Sequence, residues 1–174
     1  MNTKNLVLMS LLIAVGAALY LVIPGYNGGM KPDFMLTMMF IGILLFPQVR
    51  NVFLLAGTTG IISGIFSSFP GGFIPNVIDK FITAFVIYAV IITFKKVAGN
   101  LIASTVIAGI GTVLSGSIFL SIAIFLLGAD LPFTGLFLTV VLPAVAMNGI
   151  AFFIIYPIVT GLVRRSSFKT VLSN

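Results

Sequence analysis

The sequence predicts an all-α membrane protein with six transmembrane helices, folded as a single transmembrane domain over residues 1–174. Composition is the first reason. Hydrophobic residues make up 60% of the chain, charged residues only 7%, and the mean hydropathy is +1.28. A soluble domain carries about a quarter charged residues, because its surface must be solvated. The second reason is a series of apolar runs near the length that crosses a bilayer, about 20 residues. The third is the placement of Lys and Arg, which fall mostly on the cytoplasmic side if the chain crosses the membrane an even number of times.

The first three spans are apolar runs interrupted by short polar or proline-containing segments. Span one covers about residues 5–23 and ends before Pro24. It is longer than a signal-peptide core and more spans follow it, so we expect it to be retained. Span two, residues 34–46, is short. It must therefore begin inside the preceding loop, lie where the bilayer is thin, or be re-entrant. Span three covers about residues 52–68.

The last three spans are longer. Their expected bounds are residues 75–94, 101–128 and 132–163. Span five is long enough to require tilt or a kink. Span six contains Pro143 and Pro157, and we expect the helix to be interrupted at both, because proline removes a backbone donor and crowds the preceding turn.

The basic residues fix the expected orientation, because cytoplasmic loops are enriched in Lys and Arg. With six crossings and both termini in the cytoplasm, the loops 24–33, 69–74 and 129–132 lie outside. The basic residues then placed inside are Lys4, Arg50, Lys95, Lys96, Arg164, Arg165 and Lys169. Lys31 alone falls in an outer loop, and Lys80 falls just within the outer end of span four. All three acids, Asp33, Asp79 and Asp130, belong to the outer side.

Small residues recur along three spans, and small residues let helices approach closely in lipid. Span one has Ser10, Ala14 and Ala18 at intervals of four. Spans three and five carry similar rows, Gly57, Gly60 and Gly64 in one and Ala108, Thr112 and Gly116 in the other. For spans three and five we expect packing within the protein. The row on span one begins near the cytoplasmic end, where a partner subunit could dock.

The residue types that catalysis needs are largely missing. The chain has no Cys, His or Glu, so an ordinary metal cluster, a thiol nucleophile and a histidine base are excluded. No phosphate-binding GxxxxGK[ST] loop occurs. The basic residues are scattered between apolar runs and form no basic face for nucleic acid. We therefore expect no enzyme activity, no catalytic residue, no metal, no cofactor and no nucleic-acid partner.

Ionisable groups near a membrane are costly, which makes them candidates for function. They concentrate in two segments on the expected outer side, residues 28–33, followed by Thr37, and residues 71–80. In a helix that starts near Pro75, the side chains of Asn76, Asp79 and Lys80 share one face. The site predicted from these segments, with Asn148 of span six added, consists of Lys31, Asp33, Thr37, Asn76, Asp79, Lys80 and Asn148.

A zwitterionic amino acid would suit this set. We expect Lys80, with Asn76, to hold a carboxylate and Asp79 or Asp33 to hold an ammonium. The residues that could wall an apolar side chain are Met30, Phe34, Met35, Met38, Phe69, Phe73 and Phe81. The alternative is structural: the acids and lysines neutralise one another, Lys80 extends outward to water, the Met and Phe residues pack against lipid or core, and Asn148 bonds a neighbouring helix.

Three stretches of the sequence, residues 28–40, 44–52 and 74–80, resemble the bacterial tryptophan transport protein family, TrpP. Their sequences are GGMKPDFMLTMMF, LLFPQVRNV and IPNVIDK. Lys4 before the first apolar run, and Tyr156-Pro157 followed by Arg164-Arg165, also fit. The resemblance covers nearly the whole chain, although span five adds little to it.

The resemblance implies uptake of L-tryptophan across the cytoplasmic membrane. The family is similar to the substrate-binding S components of energy-coupling factor (ECF) transporters, which have six helices and both termini inside. In that group a row of small residues on the first helix meets a shared coupling subunit, and two ATPases complete the complex. Ala14 and Ala18 match that spacing and would form the docking surface.

Other functions remain open from the sequence. The chain could be an S component for another small molecule, such as a vitamin. It could be a standalone secondary amino-acid transporter, although no inverted repeat is visible and intramembrane acids are few. It could also be a membrane scaffold that transports nothing.

Overall fold

The computed structural model describes residues 3–25, 31–94, 97–166, 168 and 170, and within these residues the chain forms helices and loops but no strand. Several residues of the sequence prediction lie outside this part. They are Gly28, Gly29 and Met30 of the first polar segment and the basic residues Lys95, Lys96 and Lys169. The all-α prediction is confirmed for the described chain.

Six helices follow one another along the described chain. They are α1 (Thr3–Val22), α2 (Phe34–Leu45), α3 (Val49–Ile65), α4 (Phe73–Thr93), α5 (Leu101–Leu126) and α6 (Phe133–Arg164). A short 3-10 turn, Val97–Gly99, precedes α5. By length and composition, α1, α4, α5 and α6 could each cross a membrane. The remaining two, α2 and α3, are shorter apolar helices that correspond to the predicted spans two and three.

Helix α2 lies at the centre of the bundle. All of its residues, Phe34–Leu45, are buried, and it contacts α1, α3, α4, α5 and α6. Twelve residues of α-helix extend only about 18 Å, less than the hydrocarbon thickness of about 30 Å. Because the other helices surround α2, it does not have to match the bilayer. This burial explains the short span better than a start inside the preceding loop, since Asp33 caps the helix immediately before Phe34.

Glycines set the closest helix contacts. A Cβ at Gly60 would come within 3.0 Å of the Val77 Cα atom, and one at Gly64 would meet the Phe73 backbone at 3.1 Å, so α3 and α4 pack almost backbone to backbone. On α5, Ala108 and Thr112 are buried, and a Cβ at Gly116 would lie 2.7 Å from a Val141 methyl group. The expected packing within the protein is confirmed for both rows.

The row on α1 behaves differently. Helices α1 and α2 approach closely at Gly16, where an added Cβ would lie 3.0 Å from the Phe34 carbonyl oxygen. Ser10, Ala14 and Ala18 are exposed on the outer surface of the bundle. This row of Ser10, Ala14 and Ala18 is therefore not used for packing within the part of the chain that the structure describes.

Wider π-helical turns occur in the two longest helices. One covers Ile122–Leu126 at the end of α5, and the other covers Phe137–Val141 within α6. The predicted break at Pro157 is wrong, since α6 continues through this proline, whereas the regular α-helix is interrupted just before Pro143 by the π-helical turn. The π turn directly before Pro143 gives the backbone room where the proline ring would crowd a regular turn.

Candidate substrate-binding site

A cavity of about 460 Å³ opens at one end of the bundle. Its lining comes from the ends of α1 and α3, the beginnings of α2 and α4, the middle of α5, and the first half of α6. The volume falls in the range of small-molecule pockets, about 300–1,000 Å³. The charged or amide side chains in its lining are Lys31, Asp33, Asn76, Asp79, Lys80 and Asn148.

The structure thus gathers six of the seven predicted site residues around one cavity. Thr37 is the exception. It lies on the fully buried α2, is 1% exposed and does not line the cavity. Its hydroxyl has no hydrogen-bond partner in the described part of the chain. Because α2 is buried on every side, its threonine faces other helices.

Three charged side chains meet at the cavity wall. The Lys80 Nζ atom lies 2.8 Å from Asp79 Oδ2 and 3.0 Å from Asp33 Oδ2, so it bridges two carboxylates. Lys80 is 3% exposed and the Asp33 side chain is 30% exposed. The alternative in which Lys80 extends outward to water is wrong. We call Asp33, Asp79 and Lys80 the charge triad; its formal charges sum to −1.

Asp79 is the fixed member of the charge triad. It is completely buried, and its carboxylate accepts hydrogen bonds from Thr83 at 3.0 Å and from Ser115 at 2.9 Å as well as from Lys80. Lys80 also donates to the Ser115 hydroxyl at 3.2 Å. A buried carboxylate needs such partners to offset the loss of water. The hydrogen bonds that Ser115 makes with Asp79 and Lys80 therefore hold α4 to α5.

Asp33 is the accessible member, and Asn148 positions it. The Asp33 carboxylate caps α2 by accepting from the Leu36 amide at 2.9 Å. Its own amide donates to Asn148 Oδ1 at 2.7 Å, and Asn148 in turn donates to Thr112 Oγ1 at 3.2 Å. Asn148 is 2% exposed. It therefore connects α6, α5 and the start of α2, which is the helix-bonding alternative considered for this residue.

Lys31 carries a positive charge without a carboxylate partner. Its Nζ atom donates to the Tyr20 carbonyl oxygen at 2.7 Å and lies 3.6 Å from the centre of the Tyr20 ring. Among the described residues it forms no salt bridge, so the alternative in which Lys31 neutralises Asp33 is wrong. The cavity therefore has a surplus negative charge at Asp33 and a separate positive charge at Lys31.

Apolar side chains complete the lining. Of the predicted wall, Met35 and Phe69 line the cavity, whereas Phe73 is exposed and Phe81 packs against Phe53. Phe69 makes an edge-to-face contact with Phe119, 5.4 Å between ring centres. Sequence reasoning missed the lining residues Tyr20, Thr112, Ser115, Phe119 and Met147. Only the row of small residues on α5 signalled that this helix approaches the site.

Residues 2–164 match the family described as "Tryptophan transporter TrpP". A "Probable tryptophan transport protein" of Bacillus subtilis (strain 168) is 51% identical and covers 97% of each chain. Proteins of the same description from Clostridium acetobutylicum and Clostridium perfringens are 38% and 36% identical, over 90% and 95% of this chain and 91% and 96% of their own lengths. No solved structure matches significantly.

Proposed function

The chain belongs to the TrpP family of tryptophan transporters, and on that premise we propose that it takes up L-tryptophan as an S-component-like substrate-binding subunit in the cytoplasmic membrane. The cavity at the end of the bundle is the proposed binding site. We further propose that both termini are cytoplasmic and that the cavity opens to the outside, as the distribution of basic residues favours.

The separated charges in the cavity carry this proposal. The charge triad has one negative charge in excess, at the carboxylate of Asp33, which is the more exposed of its two acids. We assign Asp33 to the ammonium group of tryptophan. The carboxylate role expected for Lys80 is better filled by Lys31, because Lys80 is already held by two carboxylates. A site with one surplus negative charge and a separate positive charge complements a zwitterion.

The apolar part of the lining suits the indole ring. Phe69 and Phe119 form an aromatic corner, and Met35 and Met147 add flexible, polarizable surface. Aromatic ligands gain from edge-to-face contacts and from contacts with Met sulfur. An indole ring bound here would cover the aromatic and Met side chains of the lining.

The outward row on α1 supports the proposed subunit role. Ala14 and Ala18 are exposed and do not pack against the other described residues of the chain, and small residues allow close approach of a second helix. We propose that they dock the coupling subunit of an ECF complex, whose ATPases supply the energy.

A standalone secondary transporter is the second candidate, and one observation favours it. Asp79 is a fully buried acid inside α4, and intramembrane acids commonly mark proton or ion pathways. Its pairing with Lys80 argues for a structural role instead.

Uptake of labelled tryptophan tests the function. Cells without tryptophan uptake would express the chain alone or with an ECF coupling module. Uptake that requires the module supports the S-component role, and uptake by the chain alone supports the standalone transporter. No uptake in either case, with the protein present in the membrane, would contradict the proposal.

A further inference from the structure

Asn76 presents a fixed hydrogen-bond acceptor at the cavity. Its side-chain Nδ2 atom donates to the Gly72 carbonyl oxygen at 2.7 Å, and its backbone amide donates to the same oxygen at 3.1 Å. An amide must turn its NH₂ group toward a carbonyl, so this contact determines which end of the side chain is the oxygen. The residue is 8% exposed and lines the cavity, yet its amide oxygen accepts no hydrogen bond from the described residues.

The position of Asn76 relates this acceptor to both parts of the cavity. Lys80 of the charge triad lies one helical turn further along α4, a rise of about 6 Å. On the other side, Gly72 belongs to the turn that begins at Phe69, whose carbonyl oxygen accepts from the Gly72 amide at 2.9 Å. Phe69 and Phe119 form the aromatic corner. The amide oxygen of Asn76 therefore lies between the charge triad and the aromatic corner.

We propose that the Asn76 amide oxygen accepts a hydrogen bond from the indole N–H of tryptophan, which makes Asn76 a specificity-determining residue. The inference rests on the proposed function, which assigns the substrate ammonium to Asp33. Tryptophan has one other donor, the indole N–H, and buried indole groups usually find an acceptor. A ligand that fills the cavity displaces water from this oxygen, and an acceptor that is then left unpaired is costly, so a ligand that donates to it is favoured over one that cannot.

This role differs from the one expected for Asn76 from sequence, which was to help hold the carboxylate. One of its two side-chain N–H groups is already used by Gly72. Serine hydroxyls also line this region, at Ser67 and Ser68, but a hydroxyl both donates and accepts and therefore discriminates less. An amide oxygen only accepts, so it distinguishes indole from rings that lack the N–H.

The test compares L-tryptophan with β-(3-benzothienyl)-L-alanine, in which sulfur replaces the indole N–H at nearly the same size. Affinities would be measured by titration calorimetry on the purified full chain, in the wild type, in Asn76→Leu and in Thr93→Val, a control on the same helix but outside the cavity lining. We expect the wild type and Thr93→Val to bind tryptophan about ten-fold more tightly than the benzothienyl analogue, the value of one net hydrogen bond at an acceptor that the analogue leaves unpaired. In Asn76→Leu the two ligands should bind within about two-fold of each other.

Each other outcome has a definite meaning. Equal affinities for the two ligands in the wild type would overturn the inference while leaving tryptophan binding intact. An unchanged ratio in Asn76→Leu would also overturn it, because Asn76 would then hold another part of the ligand, such as the ammonium. If Asn76→Leu does not fold, the wild-type ratio and a second variant, Asn76→Ser, decide in the same way. Failure of folded wild-type protein to bind tryptophan would contradict the proposed function itself.

Discussion

Replacing Asp33 with Asn should separate recognition of the ammonium from recognition of the indole. The substitution removes the surplus charge of the charge triad but leaves Lys80 paired with Asp79 at 2.8 Å and bonded to Ser115. Asn caps a helix about as well as Asp, so the bond that α2 receives at the Leu36 amide can be kept. The fold should therefore survive, and a change in affinity will report on the ligand.

The expected loss of affinity in Asp33→Asn follows from the contact that the ligand ammonium makes with Asp33. A hydrogen bond to a charged group contributes about 1.5–3 kcal/mol, equivalent to about ten-fold to somewhat over a hundred-fold in affinity. In the free protein Lys80 already lies 3.0 Å from Asp33, so an incoming ammonium exchanges one cation for another. We therefore expect the lower end of the range, about ten-fold weaker binding.

Titration calorimetry with three ligands measures this effect. L-tryptophan and tryptamine carry the amine and should both lose affinity in Asp33→Asn, whereas indole-3-propionate lacks it and should be affected much less. Asp130→Asn, which removes an exposed acid that does not line the cavity, is the matched control. Equal loss for all three ligands would mean that Asp33 only supports the fold, and no loss for any of them would refute the assignment.

The remaining predictions concern stability, docking and orientation. Asp79→Asn should destabilise the protein by about 3 kcal/mol, because breaking a buried ion pair leaves a charge poorly compensated. Thermal unfolding in detergent measures this loss, and an unchanged Tm would contradict the role of Asp79 in joining α4 to α5. Ala18→Trp should abolish transport but leave tryptophan binding intact, whereas Ile110→Trp on the exposed face of α5 should change neither; loss of binding in Ala18→Trp would indicate internal packing. Cys at Pro70 should react with an impermeant maleimide on intact cells and Cys at Gln48 only after permeabilisation; the reverse pattern would contradict the proposed orientation.

The structure also changes how orientation is best probed. Gly72 would be a natural labelling position from its place in the second polar segment. It is buried, however, and a Cβ there would lie 2.2 Å from the Ser67 hydroxyl oxygen. Pro70 in the same loop is exposed and lacks this clash.

Local chemistry explains why much of the fold could be predicted. The limits of α1 and α4 could be predicted to within about two residues. The signals were long apolar runs that end at proline, glycine or charged residues. Pro157 was misjudged because proline is disfavoured in an isolated helix, while a membrane helix can relieve the strain through neighbouring helices. That relief depends on tertiary context, which a single sequence does not show.

The charged and amide residues that line the cavity could be predicted because ionisable groups are rare in this chain, but their pairing could not. Nothing in the spacing of Asp33 and Lys80 predicts that they meet, since the contact joins the start of α2 to the second turn of α4. Thr37 was misplaced for a similar reason: its proximity to Asp33 in sequence did not show that α2 is buried on every side. Helix assembly decides such contacts.

Filling the cavity tests the central claim, that this cavity is where tryptophan binds. Ala144 lines the cavity from α6, and Ala144→Trp would occupy it with an indole ring belonging to the protein. Equilibrium binding of labelled L-tryptophan should be saturable for the purified wild type and absent in Ala144→Trp. A cooperative thermal unfolding transition would show that both proteins are folded. Undiminished binding in the filled variant would contradict the account.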